Sequence, residues 1–294
     1  MGDTLEHGGA RSSDAKVYAQ QLALSHVLRT PVLCSAIKAL NLSQGSQGLD
    51  AGCGIGQVTL MLAEAVGPGG HCIGLDLSAP FVARAREISR KSPLSGQVSF
   101  HQGDVNALPF DDQRFDWVWS SDCVGYPARK PVSLLKELSR VVKPGGTVAI
   151  LIWSSQQLLP GYPLLEARLN ATAAGIAPFT REMGPELHPL RALGWFRDAG
   201  LEDGLCHTFV GSVHGPLSDG IRNALISLFD MRWKGAQPEM APEDWVQYKR
   251  LCQPESRDFI LNLPDYYAFF TYSLFRGKVG RSTKGRKDLE VDHG

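Results

Sequence analysis

The sequence predicts an α/β fold: a doubly wound, mostly parallel sheet with helices on both of its faces. Three observations predict it. Short apolar runs of strand length alternate with helical segments between residues 45 and 154. A glycine-rich turn at 52–56 follows the first run, and Asp76 ends the second. Strands that alternate with helices form a parallel sheet, and such sheets bind ligands beyond the carboxyl ends of their strands.

The composition indicates a folded chain that is long enough for one large domain. The chain has 294 residues, of which 43% are hydrophobic, so it can bury a sizeable core. Lysine plus arginine number 30 and aspartate plus glutamate number 30, and this balance argues against a general nucleic-acid binder. We expect one domain over 14–276, with a flexible segment 1–13 before it and a disordered basic tail 277–294 after it.

The chain carries no signal for export, a membrane or a metal. Its first residues lack the apolar core of a signal peptide, and no apolar stretch reaches the length of a membrane span. Six cysteines are scattered without a C-x-x-C pair, which indicates neither a zinc site nor a disulfide framework. We therefore expect a cytoplasmic protein without a metal and without membrane contact. The sequence contains no signal for an oligomeric state.

The first half of the chain provides most of the predicted elements. Apolar residues at helical spacing over 14–41 predict N-terminal helices, and Pro31 predicts a division into two. Predicted strands and helices then alternate: strands at 47–51, 72–76, 97–102, 115–120 and 147–153, and helices at 56–66, 80–91 and 130–142.

The second half of the chain departs from this alternation at two insertions, 154–187 and 218–262. The first insertion directly follows the fifth strand, so we expect it to lie above the carboxyl edge as a lid over a substrate. The remaining predicted elements are a helix at 189–200, a strand at 205–213, helices at 219–233 and 242–252, and a last strand at 266–275.

The glycine turn predicts a nucleoside-binding site. Glycine lets a ligand approach the backbone closely, and the helix that follows directs free N–H groups at the ligand. An acid such as Asp76 can accept hydrogen bonds from both ribose hydroxyls. A dinucleotide fingerprint requires a third glycine where Gln57 stands. Asp50, which ends the first strand, suits a cationic ligand better than a pyrophosphate.

Four motifs resemble those of the class I S-adenosylmethionine-dependent methyltransferases, in family order and at family spacing. They are Asp50-Ala51-Gly52-Cys53-Gly54-Ile55-Gly56, Gly74-Leu75-Asp76-Leu77-Ser78, Gln102-Gly103-Asp104-Val105, and the run from Leu138 to Thr147. The resemblance covers about residues 45–154. It implies a seven-stranded sheet with an antiparallel last strand and S-adenosylmethionine as the cofactor.

The resemblance also assigns cofactor contacts. It makes Asp76 the ribose ligand and brings the third-motif acid, Asp104, to the adenine amino group. The N-terminal helices would lie over the cofactor, where Tyr18 can reach its methionine end. The full set of expected cofactor-binding residues is Tyr18, Asp50, Gly52, Cys53, Gly54, Gly56, Asp76, Leu77, Asp104, Val105 and Ser120.

The expected reaction is methyl transfer to a small, apolar or aromatic acceptor, with oxygen favoured as the acceptor atom and carbon or nitrogen as alternatives. Ser120-Ser121-Asp122-Cys123 follows the fourth strand without the Asn/Asp-Pro-Pro-aromatic motif that amine methyltransferases of nucleic acids share. The alternatives are a non-catalytic S-adenosylmethionine-binding protein and a nicotinamide-dependent oxidoreductase.

A hydroxyl acceptor gains from a general base, and two histidines are placed for that role. His188 precedes a predicted helix that should begin at the carboxyl edge of the sheet, and His214 follows the sixth strand at the same edge. We expect His188 to act as the base, with His214 as the second candidate.

Overall fold

The computed structural model describes residues 12–124 and 130–281. Nine α-helices and seven strands lie in these two ranges, together with short 3-10 turns. The helices are α1 (Ser12–Leu40), α2 (Gln57–Val66), α3 (Ala79–Arg90), α4 (Pro131–Arg140), α5 (Pro163–Asn170), α6 (Ala173–Ile176), α7 (Ala192–Asp198), α8 (Asp219–Trp233) and α9 (Pro242–Cys252). The strands are β1 (Gln47–Ala51), β2 (His71–Asp76), β3 (Val98–Gln102), β4 (Phe115–Ser121), β5 (Val142–Gln157), β6 (Leu201–His214) and β7 (Tyr267–Val279).

The seven strands form one sheet in the order β3-β2-β1-β4-β5-β7-β6. The first five strands pair in parallel, whereas β7 runs antiparallel to both of its neighbours. This arrangement confirms the predicted fold class. The strand order reverses between β1 and β4, which is where open sheets of this kind bind their ligands.

Two apolar cores cover the two faces of the sheet. One core joins buried residues of α1, α2, α8 and α9 to one sheet face, with Trp119 and Tyr272 fully enclosed. The other joins α4 and α7 to the opposite face, with Phe115 and Phe196 at its centre. Burial on both faces holds the strands rigid, so the loops at the carboxyl edge have a fixed support.

The prediction that Pro31 divides the N-terminal helices is wrong. Helix α1 runs unbroken from Ser12 to Leu40 with Pro31 inside it. A proline removes one backbone hydrogen bond from a helix interior. Here Leu28, Val32 and Leu33 are buried on either side of the proline, and the packing of α1 against α8 and β6 offsets that loss.

The segment 154–187 differs from the prediction in its first residues and in its packing. Strand β5 continues to Gln157, so the insertion begins later than expected. Its leucines Leu158, Leu159 and Leu169 are almost fully buried in the first core. Much of the apolar content of this segment therefore stabilises the fold, and its function as a lid stays a prediction.

Regular secondary structure extends beyond the expected domain, 14–276, at both ends. Helix α1 includes Ser12 and Ser13, and strand β7 extends through 277–279. The rest of the predicted flexible N-terminus, 1–11, and of the predicted basic tail, 282–294, lies outside the described residues.

Candidate functional site

A pocket of about 510 Å³ opens at the carboxyl ends of β1 and β4, where the strand order reverses. Its walls come from α1, the glycine turn, the end of β4 and side chains of β5, β7 and α8. We call it the main pocket. One end of it is built from backbone and carboxylate groups, and the other end from aromatic rings and an ion pair.

The glycine turn forms the first end of the main pocket. Gly52 and Gly54 have φ angles of 80° and 54°, a region that favours glycine. A Cβ atom on Gly52 would lie 2.6 Å from the Sγ atom of Cys123, so no side chain fits there. The N–H of Gly54 donates to Asp76 Oδ2 over 2.8 Å, and the N–H of Ser78 donates to Asp76 Oδ1 over 2.9 Å. These bonds fix the Asp76 carboxylate at the pocket wall.

Five of the residues predicted to bind the cofactor line the main pocket: Tyr18, Gly52, Cys53, Gly54 and Asp76. Tyr18 stands at the mouth, 45% exposed, with its ring centroid 5.9 Å from that of Phe81. Burial raises the pKa of Asp76, and the two backbone N–H donors oppose the increase. The two N–H donors occupy two of the roughly four lone-pair sites of the carboxylate, so Asp76 keeps acceptor sites for a ligand hydroxyl.

The remaining predicted cofactor residues lie outside the pocket lining. Ser120 is buried and donates to the Ala51 carbonyl over 2.7 Å, which ties β4 to β1. Asp104 is exposed, and its Oδ1 accepts the Asn106 backbone N–H over 2.8 Å in a local turn.

Leu77, Val105 and Gly56 also lie outside the pocket lining. Leu77 is 67% exposed, whereas Val105 is buried in the second core. A Cβ on Gly56 would lie 2.7 Å from the Phe100 ring, so close packing requires this glycine. The predicted roles of these residues in cofactor binding stay predictions.

Asp50 lies behind the glycine turn instead of facing the pocket. It is 0% exposed, and Thr59 Oγ1 donates to its Oδ2 over 2.7 Å. Its Oδ1 is buried without a hydrogen-bond partner. Burial raises the pKa of Asp50 to about 7, because the hydrogen bond from Thr59 offsets only part of the desolvation and Asp76 adds repulsion.

The second end of the main pocket holds an ion pair with an aromatic partner. Arg29 Nη2 donates to Asp122 Oδ2 over 2.8 Å, and the Tyr272 hydroxyl donates to the same oxygen over 3.1 Å. The backbone N–H of Trp153 donates to Asp122 Oδ1 over 3.0 Å. Asp122 itself has a φ of 47°, which turns the chain sharply as it leaves β4. A carboxylate offers about four lone-pair sites, so three donors leave it mainly a positioning group.

Aromatic rings surround this ion pair. The Arg29 guanidinium carbon lies 5.3 Å from the centroid of the Tyr272 ring. The Trp153 ring stacks on Phe270 at 4.9 Å and meets Tyr272 edge-on at 5.3 Å. Two buried donors here, Arg29 Nε and Trp153 Nε1, have no hydrogen-bond partner. Because an unsatisfied buried N–H is costly, this end of the pocket suits a ligand that presents oxygen acceptors.

Among the described residues, the main pocket contains one histidine, and it is His26 of α1. Burial lowers the pKa of His26, and the neighbouring Arg29 cation lowers it further, so the ring is neutral near pH 7. His188 lines an adjacent cavity, where its Nδ1 accepts the Leu190 N–H over 3.3 Å. His214 is exposed, with its Nδ1 2.9 Å from the Gly215 carbonyl.

Sequence reasoning missed most of this second end. Arg29 and His26 lie three residues apart on α1, and Tyr272 is on the last strand. The available signal was Asp122, which follows β4 at the carboxyl edge. Its partners could not be inferred, because they are separated from it by 93 and 150 residues along the chain.

The main pocket fits S-adenosylmethionine. The positive-φ glycines leave room for a nucleoside against the backbone, and the Asp76 carboxylate lies where ribose hydroxyls can donate to it. Asp76 provides negative charge in the pocket for a cofactor that bears an ammonium and a sulfonium. Within 12–124 and 130–281, no group of three His, Cys, Asp or Glu side chains is arranged to hold a metal ion. No helix in the same ranges has the length and hydrophobicity to cross a membrane.

Comparisons with known proteins agree with this geometry. Residues 49–146 match the family model described as a methyltransferase domain. The chain is 33% identical over 193 residues to a demethylmenaquinone methyltransferase of Bacillus pumilus, covering 60% of this chain and 80% of that protein. A protein of the same name from Staphylococcus carnosus is 38% identical over 135 residues, which are 44% of this chain and 53% of the relative.

A solved structure has the same fold along nearly the whole chain. It is a methyltransferase of Haloferax volcanii in complex with the Trm112 methyltransferase activator, with a TM-score of 0.52 and 21% identity. The superposition covers 96% of this chain and 97% of the other. Fold, glycine turn and sequence similarity together identify the cofactor as S-adenosylmethionine. The chain belongs to the class I S-adenosylmethionine-dependent methyltransferases.

Proposed function

We propose that this methyltransferase acts on a hydroxylated aromatic ring of the quinol type and transfers the methyl group to a ring carbon. The two unpaired donors, Arg29 Nε and Trp153 Nε1, carry the proposal. A quinone or quinol presents oxygen atoms around a flat ring, so its oxygens can accept from both donors. Its faces suit a pocket end lined by Trp153 and Tyr272.

The ion pair supports the same acceptor. A ring carbon becomes nucleophilic when the neighbouring hydroxyl loses its proton, and negative charge then develops on that oxygen. Arg29 places a permanent positive charge at this end of the pocket, and Asp122 holds it in position over 2.8 Å. A preorganised cation of this kind stabilises the charge that develops in the transition state.

His26 is suited to take up the proton. A neutral imidazole can accept the proton of the acceptor hydroxyl, and its lowered pKa keeps it neutral near pH 7. His188 and His214 remain the candidates that the sequence suggested, but both lie outside the main pocket. We therefore favour His26 as the general base.

Bound S-adenosylmethionine supplies an electrophilic methyl group on a positively charged sulfur. The ring carbon forms the new bond to this methyl as the methyl–sulfur bond breaks and S-adenosylhomocysteine leaves. The ring carbon then loses its own proton to solvent, which restores aromaticity, and the ring oxygen regains a proton from His26. Because the sulfonium is already activated, alignment by the protein contributes most, up to about 7–11 kcal/mol. The rings of Trp153 and Tyr272 provide that alignment by holding the acceptor flat.

The relatives favour carbon over the oxygen that the sequence suggested. Both are named demethylmenaquinone methyltransferases, and the name describes a quinone ring that lacks a methyl group. A methyl group missing from such a ring is added at carbon. Deprotonation activates the oxygen and the adjacent carbon alike, so transfer to the oxygen of the same acceptor is the alternative to this proposal.

A transfer assay with matched acceptors tests the proposal. The full chain is incubated with S-adenosylmethionine and, in separate reactions, a reduced naphthoquinol, an aromatic amine and an aliphatic alcohol of similar size. We expect methylated product from the quinol alone, detected by mass spectrometry. Product from the amine in place of the quinol would contradict the proposal.

A further inference from the structure

A second cavity of about 330 Å³ adjoins the main pocket. Trp153, Ala177 and Arg232 line both spaces, so these three residues form the partition between them. The far wall of the second cavity comes from the end of β5 and from the segment that carries Phe179 and His188. A ligand that lies against Trp153 in the main pocket is therefore adjacent to the second cavity.

A β-bulge in β5 places Gln156, one of the residues that line this cavity, on the same face of the strand as Trp153. Trp153 pairs with Tyr272 and Gln156 pairs with Phe270, with a register shift between Trp153 and Ser155. Tyr272 and Phe270 are two residues apart and so lie on one face of β7. Trp153 and Gln156 consequently share a face of β5, although residues three apart in a regular strand point to opposite faces. Bulges re-aim side chains in this way beside functional sites.

A chain of hydrogen bonds fixes the orientation of the Gln156 amide. The Trp233 indole N–H can only donate, and it donates to Asn170 Oδ1 over 2.9 Å. The same oxygen accepts from Gln156 Nε2 over 3.1 Å. Because the amide nitrogen of Gln156 is committed to Asn170, its Oε1 is the atom left as an acceptor.

This Oε1 atom is a buried acceptor without a partner. Gln156 is 4% exposed, and its Oε1 makes no hydrogen bond. A buried carbonyl without a donor is costly, so native proteins normally satisfy it. The main pocket has the opposite character at its second end, where the unpaired atoms of Arg29 and Trp153 are donors.

We propose that the second cavity is a specificity subsite that binds a hydrogen-bond-donating substituent, such as a hydroxyl, on the acceptor ring. The proposal rests on the proposed function, because the ring must lie against Trp153 for its substituent to reach Gln156. The ring oxygens accept from Arg29 and Trp153, and the substituent donates to Gln156 Oε1. The acceptor would thus be a quinol-type ring with a polar side group.

Calorimetry on the full chain loaded with S-adenosylhomocysteine tests the subsite. The probes are oxidised naphthoquinones with alkyl side chains of a short series of lengths, each paired with a twin of equal length that ends in a hydroxyl. One hydrogen bond is worth about two- to tenfold in affinity. We expect the best hydroxyl twin to bind by that factor more tightly than its alkyl partner, and Gln156→Met to abolish the difference.

The design separates the possible outcomes. Gln156→Met should bind S-adenosylhomocysteine and the alkyl probes like the wild type, which verifies that the variant is folded. Equal binding of the twins to the wild type would overturn the subsite and leave the proposed function intact, since a water molecule would then satisfy Oε1. If neither series binds, while S-adenosylhomocysteine does, both proposals are overturned.

Discussion

Arg29 of α1 and Asp122 at the end of β4 form an ion pair with a 2.8 Å separation between Nη2 and Oδ2. Their side chains are 15% and 23% exposed, so water screens the pair only in part. The pair joins the N-terminal helix to the switch point of the sheet. It also places a cation and two aromatic rings at the end of the pocket away from the glycine turn.

Replacing Asp122 with alanine should both destabilise the fold and impair turnover. Arg29 would keep its charge without a counterion, and the Tyr272 hydroxyl would lose its acceptor. We expect a loss of about 1–3 kcal/mol in the free energy of unfolding, measured by urea titration. Asp198→Ala, which removes an exposed pair with Arg197, should change this free energy by no more than about 0.5 kcal/mol. Equal effects of the two variants would contradict the role of the half-buried Arg29–Asp122 pair.

Asp76 should contribute most of the ribose recognition. Its carboxylate lines the main pocket, and hydrogen bonds to a charged group contribute about 1.5–3 kcal/mol net. Asp76→Ala should therefore weaken S-adenosylhomocysteine binding by roughly tenfold to a hundredfold, as measured by calorimetry. Asp104→Ala tests the predicted adenine contact in parallel, and its exposed position outside the pocket leads us to expect a smaller loss. An unchanged affinity in folded Asp76→Ala would rule out the ribose role.

His26→Ala should reduce the rate of methyl transfer by about 10²–10⁴-fold without weakening cofactor binding. The wild-type rate should rise with pH as His26 loses its proton, and the midpoint of this rise should lie below the ordinary pKa of about 6.5, because burial and Arg29 lower the pKa of His26. The variant should lack this step. The parallel variants His188→Ala and His214→Ala should keep the profile. A normal profile in His26→Ala, together with its loss in His188→Ala, would assign the base to His188.

The buried Asp50 should make the cofactor-free protein less stable as pH rises. Its pKa in the folded state is raised to about 7 by burial, whereas an unfolded chain has a value of about 3.9. The folded state therefore binds the proton more tightly, and this contribution is complete below about pH 3.9 and is lost as pH rises towards 7. As pH rises between these values, the melting temperature should decrease less for Asp50→Asn than for the wild type. Parallel curves for the two proteins would contradict this assignment.

The first end of the main pocket could be predicted from the sequence because its residues are close together along the chain. The glycine turn, α2 and Asp76 lie within one βαβ unit, where spacing determines geometry. Closeness along the chain does not determine the direction of every side chain. Asp50 lies near the end of β1 as predicted, yet its side chain points away from the pocket towards Thr59, which an alternating strand pattern does not reveal.

The second end of the main pocket could not be predicted, because it is assembled from distant parts of the chain. Arg29 meets Asp122 only after α1 has packed across the sheet as one helix, and Pro31 suggested two. In β5, the bulge at Ser154 reverses the alternation, so that Gln156 joins Trp153 on one face. Neither the continuity of α1 nor the bulge has a sequence signal of its own.

The position of the transferred methyl group distinguishes transfer to the ring carbon from transfer to oxygen. The full chain is given a reduced naphthoquinol and S-adenosylmethionine with a carbon-13-labelled methyl group, and the product is examined by nuclear magnetic resonance. We expect a label bonded to the ring carbon beside an intact hydroxyl, formed at a rate that falls in Arg29→Gln. A label bonded to oxygen, or transfer that is indifferent to Arg29, would contradict the proposed function.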